Sequence, residues 1–85
     1  MFLGLDISKA NFDAALLDPS RPAAKPRHKA FPNTPAGFER LQEWLGGAQV
    51  HACLEATNTY GDALARFLHQ HHHTVSVVNP AQIKD

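Results

Sequence analysis

The chain has 85 residues, eight of them Lys or Arg and eight Asp or Glu, so its formal charge is zero with neutral histidines. That length allows one small domain or a piece of one, burying only about two-thirds of its unfolded surface, and the balanced charge gives no general pull toward nucleic acid or membrane. A single cysteine excludes an internal disulfide, and neither a long apolar span nor a charged-then-apolar leader is present. A reduced, cytoplasmic protein without membrane insertion is expected, with Cys53 as a small core hydrophobe.

From Phe2 to Leu17 apolar residues are dense and interrupted only at Ser8-Lys9-Ala10-Asn11, which predicts two short strands joined as a hairpin. In the second strand Phe12, Ala14 and Leu16 alternate with Asp13, Ala15 and Leu17, giving one apolar and one mixed face. Asp18-Pro19-Ser20-Arg21-Pro22 breaks regular structure, because proline fixes φ and removes a backbone donor. A third extended segment, about Arg27 to Phe31, has basic residues and flanking prolines that suit a sheet edge.

Asn33-Thr34-Pro35 predicts a helix start, with Thr34 capping exposed amides and Pro35 at the first helical position. Phe38, Leu41 and Leu45 follow at helical spacing beside Trp44, and Gly46-Gly47 stops the helix. Val50 to Leu54 reads as a fourth strand ending on Glu55. Thr59 or Asn58 is expected to cap a second helix with Asp62 in its first turn and Tyr60, Leu64, Phe67 and Leu68 as its buried stripe. Thr74 to Val78 is a β-branched fifth strand closed by Asn79-Pro80, and Ala81 to Asp85 read as the start of a further helix. Three strands followed by two helix crossovers predict a mixed α/β sheet whose later strands run parallel to the first.

In that arrangement Asp6 and Glu55 stand at the carboxyl ends of adjacent parallel strands, where chemistry usually sits in open α/β sheets. Two such carboxylates repel unless a cation lies between them. Mg²⁺ or Mn²⁺ suits the pair, since both ions take oxygen ligands and keep positions open for water and phosphate, and the chemistry this favours is phosphodiester cleavage. Ser8 and Lys9, in the turn after Asp6, are candidates for touching a substrate phosphate. His69, His71, His72 and His73 invite a metal reading, but no Cys or carboxylate completes a set, and histidines also suit the negative end of a helix. His72 or His73 stands where a helix stop requires a left-handed residue. Trp44, Phe38 and Phe67 read as core aromatics.

Four ordered motifs carry a resemblance: Gly4-Leu5-Asp6-Ile7-Ser8-Lys9, Asn33-Thr34-Pro35-Ala36-Gly37-Phe38, Leu54-Glu55-Ala56-Thr57-Asn58-Thr59-Tyr60-Gly61 and Val75-Ser76-Val77-Val78-Asn79-Pro80-Ala81-Gln82-Ile83-Lys84. Together they resemble the N-terminal domain of DEDD-type insertion-sequence transposases of the "IS one-ten" family, which is itself similar to the RuvC resolvase. The resemblance implies an RNase H-like fold, here a sheet of order 3-2-1-4-5 with the second strand antiparallel, and right-handed crossovers in one direction place both helices on one face. It also implies a catalytic and metal-binding role for Asp6 and Glu55, matching the first and second acids of the family. The third and fourth acids, both Asp, come after a basic segment beyond the Asn-Pro motif in the family, and Asp85 matches neither. Residues 1–85 are therefore expected to be the N-terminal part of a catalytic domain, inactive alone, with the remainder and a C-terminal domain bearing a nucleophilic serine outside them.

The resemblance implies DNA as substrate and a structured non-coding RNA that selects it; a homo-oligomer is expected as well. Asn58 departs from the glycine usual in its motif, although Asn tolerates positive φ. With both helices on one face, the opposite face is expected to be apolar and to drive self-association. An actin-like or sugar-kinase ATPase shares this strand order, but Ile7-Ser8-Lys9 supplies no glycine for a phosphate turn. A non-catalytic interaction domain of the same fold is the other alternative.

Overall fold

The computed structural model describes residues 1–21, 23, 25–55 and 59–78. Its elements are β1 (Phe2–Ile7), β2 (Asn11–Leu17), β3 (Arg27–Pro32), α1 (Pro35–Leu45), β4 (His51–Glu55), α2 (Asp62–Gln70) and β5 (Thr74–Val78). The five strands form one sheet in the order β3-β2-β1-β4-β5. β2 runs antiparallel to both β1 and β3, whereas β4 is parallel to β1 and β5 to β4. This is the α/β, RNase H-like arrangement expected from the sequence.

Strand alternation decides which face is covered. Leu3 and Leu5 of β1, Phe12 and Leu16 of β2, and Ala52 and Leu54 of β4 are buried beneath the helices. Phe38, Leu41 and Leu45 of α1, with Leu64 and Leu68 of α2, close that core from the other side. Trp44 and Phe67 pack at its margin, as expected of core aromatics. On edge strand β3 the Arg27 guanidinium lies 5.0 Å from the Trp44 ring centroid, so a basic side chain covers an aromatic while its charge stays outside.

The helix punctuation follows local chemistry. Thr34 has extended backbone and its Oγ1 accepts from the Gly37 N–H at 3.2 Å, Pro35 opens α1, and Gly46 ends it at φ 64°. α2 ends differently. His72 takes the left-handed position at φ 67°, the His72 N–H donates to the His69 carbonyl at 3.1 Å, and the His73 N–H reaches the Leu68 carbonyl at 3.1 Å. That paired closure is a Schellman motif built on histidine where glycine is usual.

Several expectations are corrected. Cys53 is exposed rather than core, because within β4 only Ala52 and Leu54 face the helices while His51, Cys53 and Glu55 face the other way. Tyr60 is not part of the buried stripe of α2. It precedes the helix and is 43% exposed. The residue at the helix cap is Gly61, without a side-chain cap hydrogen bond, so Thr59 does not serve there, and Asn58 lies outside the described residues. Asn79-Pro80 and the helix start read over Ala81 to Asp85 also lie outside them.

The second face of the sheet is not uniformly apolar. Register places Leu17, Phe2, His51 and Thr74 in one row across it and Ala15, Gly4, Cys53 and Ser76 in the next. The third row holds Asp13 and Asp6, with Glu55 and Val78 beside them. Apolar exposure is thus concentrated at the Phe2 and Leu17 end, away from the acids.

Candidate metal centre

β1 and β4 are paired in parallel up to Leu5 and Leu54, and Asp6 and Glu55 are the next residue on each strand. Both are exposed, and both belong to the face the helices leave open. They line a cleft of about 540 Å³ whose remaining walls are Gly4, Leu5, Ile7, Cys53, Leu54 and Val78. The absence of a side chain at Gly4 and the small Cys53 leave space directly below the acids.

The donor set fits a hard divalent cation of modest demand. Mg²⁺ binds through one or two carboxylates while keeping several waters, which suits two exposed oxygen donors on one sheet face. No group of three or more His, Cys, Asp or Glu converges closely enough to hold a metal among the described residues. The described chain therefore offers a pair of ligands rather than a closed cage.

The turn after β1 separates the two phosphate-contact candidates. The Ser8 hydroxyl donates to the Asn11 carbonyl at 2.9 Å and accepts from the Asn11 N–H at 3.3 Å, while the Ser8 N–H donates to the same carbonyl at 2.8 Å. Ser8 is thus engaged in closing the hairpin. Lys9, at the turn's tip, is exposed.

The histidines do not assemble around these acids. His73 is buried at the opposite end of β4, where its Nδ1 accepts from the Val50 N–H at 3.1 Å and its Nε2 lies 2.8 Å from Gln42 Oε1. Those partners require the tautomer with hydrogen on Nε2. His71 Nδ1 donates to the Phe67 carbonyl at 2.8 Å, and its ring stacks 4.0 Å from that of Phe67. His51 Nε2 pairs with Ser76 Oγ at 2.6 Å across β4 and β5.

Two further residues stand near the acids. Asp13 is the direct antiparallel partner of Asp6, placing a third carboxylate in the same row. Asn33 bridges the turns beyond the two acid-bearing strands through its side-chain amide. The length of the hairpin turn could have revealed the first, since it sets cross-strand register. Nothing local to Asn33 announces the second.

The open α/β sheet places two carboxylates at the carboxyl ends of its central parallel strands, where such folds usually bind their ligands. The chain belongs to the DEDD transposase family of the "IS one-ten" type, whose family description is "Transposase" and which it matches over residues 3–85. It is similar to the pilin gene-inverting protein of Moraxella bovis, 34% identical over 87 aligned residues, and to that of Moraxella lacunata, 33% identical over the same length. Each alignment covers 96% of this chain and 26% of the relative, so the chain spans about a quarter of the length of these curated relatives. Membership of this family disfavours the ATPase and scaffold alternatives. No helix among the described residues is long and apolar enough to cross a membrane.

Proposed function

We propose that this chain supplies part of the catalytic domain of a DNA transposase or site-specific recombinase, in which Asp6 and Glu55 are two of the acids that hold Mg²⁺ or Mn²⁺. The observation that carries this is their placement one residue beyond the β1–β4 pairing, on one face and in one cleft. Relatives named for inverting a pilin gene support DNA rearrangement as the class of reaction. A metal bound there would stabilise charge on phosphodiester oxygens during strand cleavage and joining.

The chain's own residues divide the remaining work. Asp6 and Glu55 hold the ion, each relieved of the other's repulsion by it. Lys9 is exposed at the turn's tip and brings its ammonium toward a phosphate, whereas Ser8 shapes the turn. Two further Asp ligands lie outside residues 1–85, so the fragment alone binds metal weakly and leaves DNA uncut. The intact protein works in the cytoplasm as a homo-oligomer, together with the structured non-coding RNA that the family resemblance implies for selecting the DNA.

Titration of Mn²⁺ into the 85-residue chain, monitored by electron paramagnetic resonance, tests the site. Millimolar binding that is lost in Asp6→Asn and in Glu55→Gln is the expected result. Binding unaffected by either substitution, or DNA cleavage by the chain alone, would overturn the assignment.

A further inference from the structure

We infer that Asn33 is a positioning residue for the metal centre, a clamp that fixes the spacing of the two strand ends carrying Asp6 and Glu55. The inference rests on those two acids being the metal-binding pair.

A carboxamide has two N–H bonds to give, and Asn33 places both on backbone carbonyls. Its Nδ2 donates to the Ser8 carbonyl at 3.0 Å and to the Tyr60 carbonyl at 2.9 Å. Two carbonyl acceptors admit only the NH₂ end of the amide, so its orientation is set by chemistry. Ser8 lies two residues past Asp6 in the turn leaving β1. Tyr60 lies five past Glu55 and immediately before Gly61, the N-cap residue of α2. One side chain therefore ties the turn beyond the first acid to the segment beyond the second. The Asn33 backbone N–H adds a third tie, donating to the Ala10 carbonyl at 2.9 Å.

The same junction is packed tightly from below. A Cβ on Gly61 would stand 2.8 Å from Leu54 Cδ1 and 3.0 Å from Ile7 Cδ1, the neighbours of Glu55 and Asp6 respectively. A side chain there would have to push aside the methyl ends of Leu54 and Ile7, so the glycine lets the chain sit close over both strand ends. Asn33 is itself held from behind, because a Cβ on Gly37 would meet the Pro32 carbonyl oxygen at 1.8 Å, so the first turn of α1 presses directly on the residue preceding the clamp. Two motifs, Asn33-Thr34-Pro35-Ala36-Gly37 and Tyr60-Gly61, thereby meet as one bracket around the ends of β1 and β4.

Groups that orient metal ligands from behind typically change metal affinity 10–100-fold when removed. Asn33→Ala in the 85-residue chain is expected to weaken Mn²⁺ binding by about tenfold at a temperature where circular dichroism shows a folded protein. Thr34→Ala is the control for stability alone: it removes the α1 cap but leaves both Asn33 contacts, and it should lower the melting temperature without changing Mn²⁺ affinity. Asp6→Asn is the reference for the site. If Asp6→Asn abolishes binding while folded Asn33→Ala retains it, the clamp is overturned and the metal centre stands. If Asp6→Asn binds as the unmodified chain does, the metal centre fails and the clamp with it.

A second measurement needs no variant. Mg²⁺ titration monitored by ¹H–¹⁵N spectra should move the Asn33 side-chain amide resonances with the same midpoint as the Ser8 backbone amide. A stationary Asn33 amide beside a shifting Ser8 would equally refute the clamp.

Discussion

Asp6 and Asp13 face each other directly across the antiparallel β1–β2 ladder. Opposed like charges destabilise a sheet, and Glu55 continues the same row on the other side of β1. Without metal the row works against the fold. Asp13→Asn should therefore stabilise the metal-free chain by about 0.5 kcal/mol, a rise of about 3 °C in melting temperature. Differential scanning calorimetry in a chelating buffer checks this, and an unchanged or lower Tm would show that the row is not repulsive.

Gly37 and Gly46 bracket α1 but need glycine for different reasons. At Gly37 a methyl group would collide with the Pro32 backbone at 1.8 Å, whereas Gly46 has open space around it and only its φ of 64° resists a side chain. Gly37→Ala should consequently cost at least about 3 kcal/mol through forced backbone displacement, and Gly46→Ala about 1 kcal/mol through left-handed strain. Urea denaturation of the two variants should separate them clearly. Comparable losses would mean that the β3–α1 corner yields more readily than its geometry indicates.

Most of the sheet was legible because its signals are local. Phe12, Ala14 and Leu16 recur at every second position with Asn11 and Asp13 between or beside the first of them, and Thr34-Pro35 and Gly46 mark the ends of α1 by chemistry that acts within a few residues. β4 was harder, since Ala52, Cys53 and Leu54 are all apolar and a continuous apolar run conceals which residues share a face. That is why Cys53 read as core. Spacing aligns Tyr60 with the helical stripe of Leu64, Phe67 and Leu68, although α2 begins only at Asp62. At the candidate site, the acids could be seen because each ends an apolar stretch. Asn33 could not, because its function depends on carbonyls 25 and 27 residues away that only tertiary structure brings together.

Cys53 is exposed on the open face of β4. An exposed thiol lining the cleft beside Glu55 should react stoichiometrically with a disulfide reagent in native buffer, without denaturant. Labelling monitored by absorbance checks this within minutes. If reaction requires unfolding, the open face of β4 is covered in solution. Cys53→Ser should abolish labelling while changing stability by less than about 0.5 kcal/mol, as for an ordinary surface substitution.

His73 predicts how stability depends on pH. Burial holds its pKa below the ordinary value of 6.5, with the nearby His71 and His72 adding to the effect. The neutral ring is the form that fits, since Nδ1 must keep a lone pair for the Val50 N–H. Protonation would turn two N–H groups toward each other at the start of β4. In the unfolded chain His73 takes up its proton near pH 6.5, earlier in an acid titration than in the folded state, so the unfolded state binds more protons between those two values. Stability should accordingly be full above about pH 6.5, fall as the pH drops below it, and level off once the folded-state pKa is passed. Melting curves from pH 7.5 to 5.5 should show this fall in the native chain and a flatter profile in His73→Gln, which removes the titrating ring. A profile equally steep in both would place the sensitivity on another group.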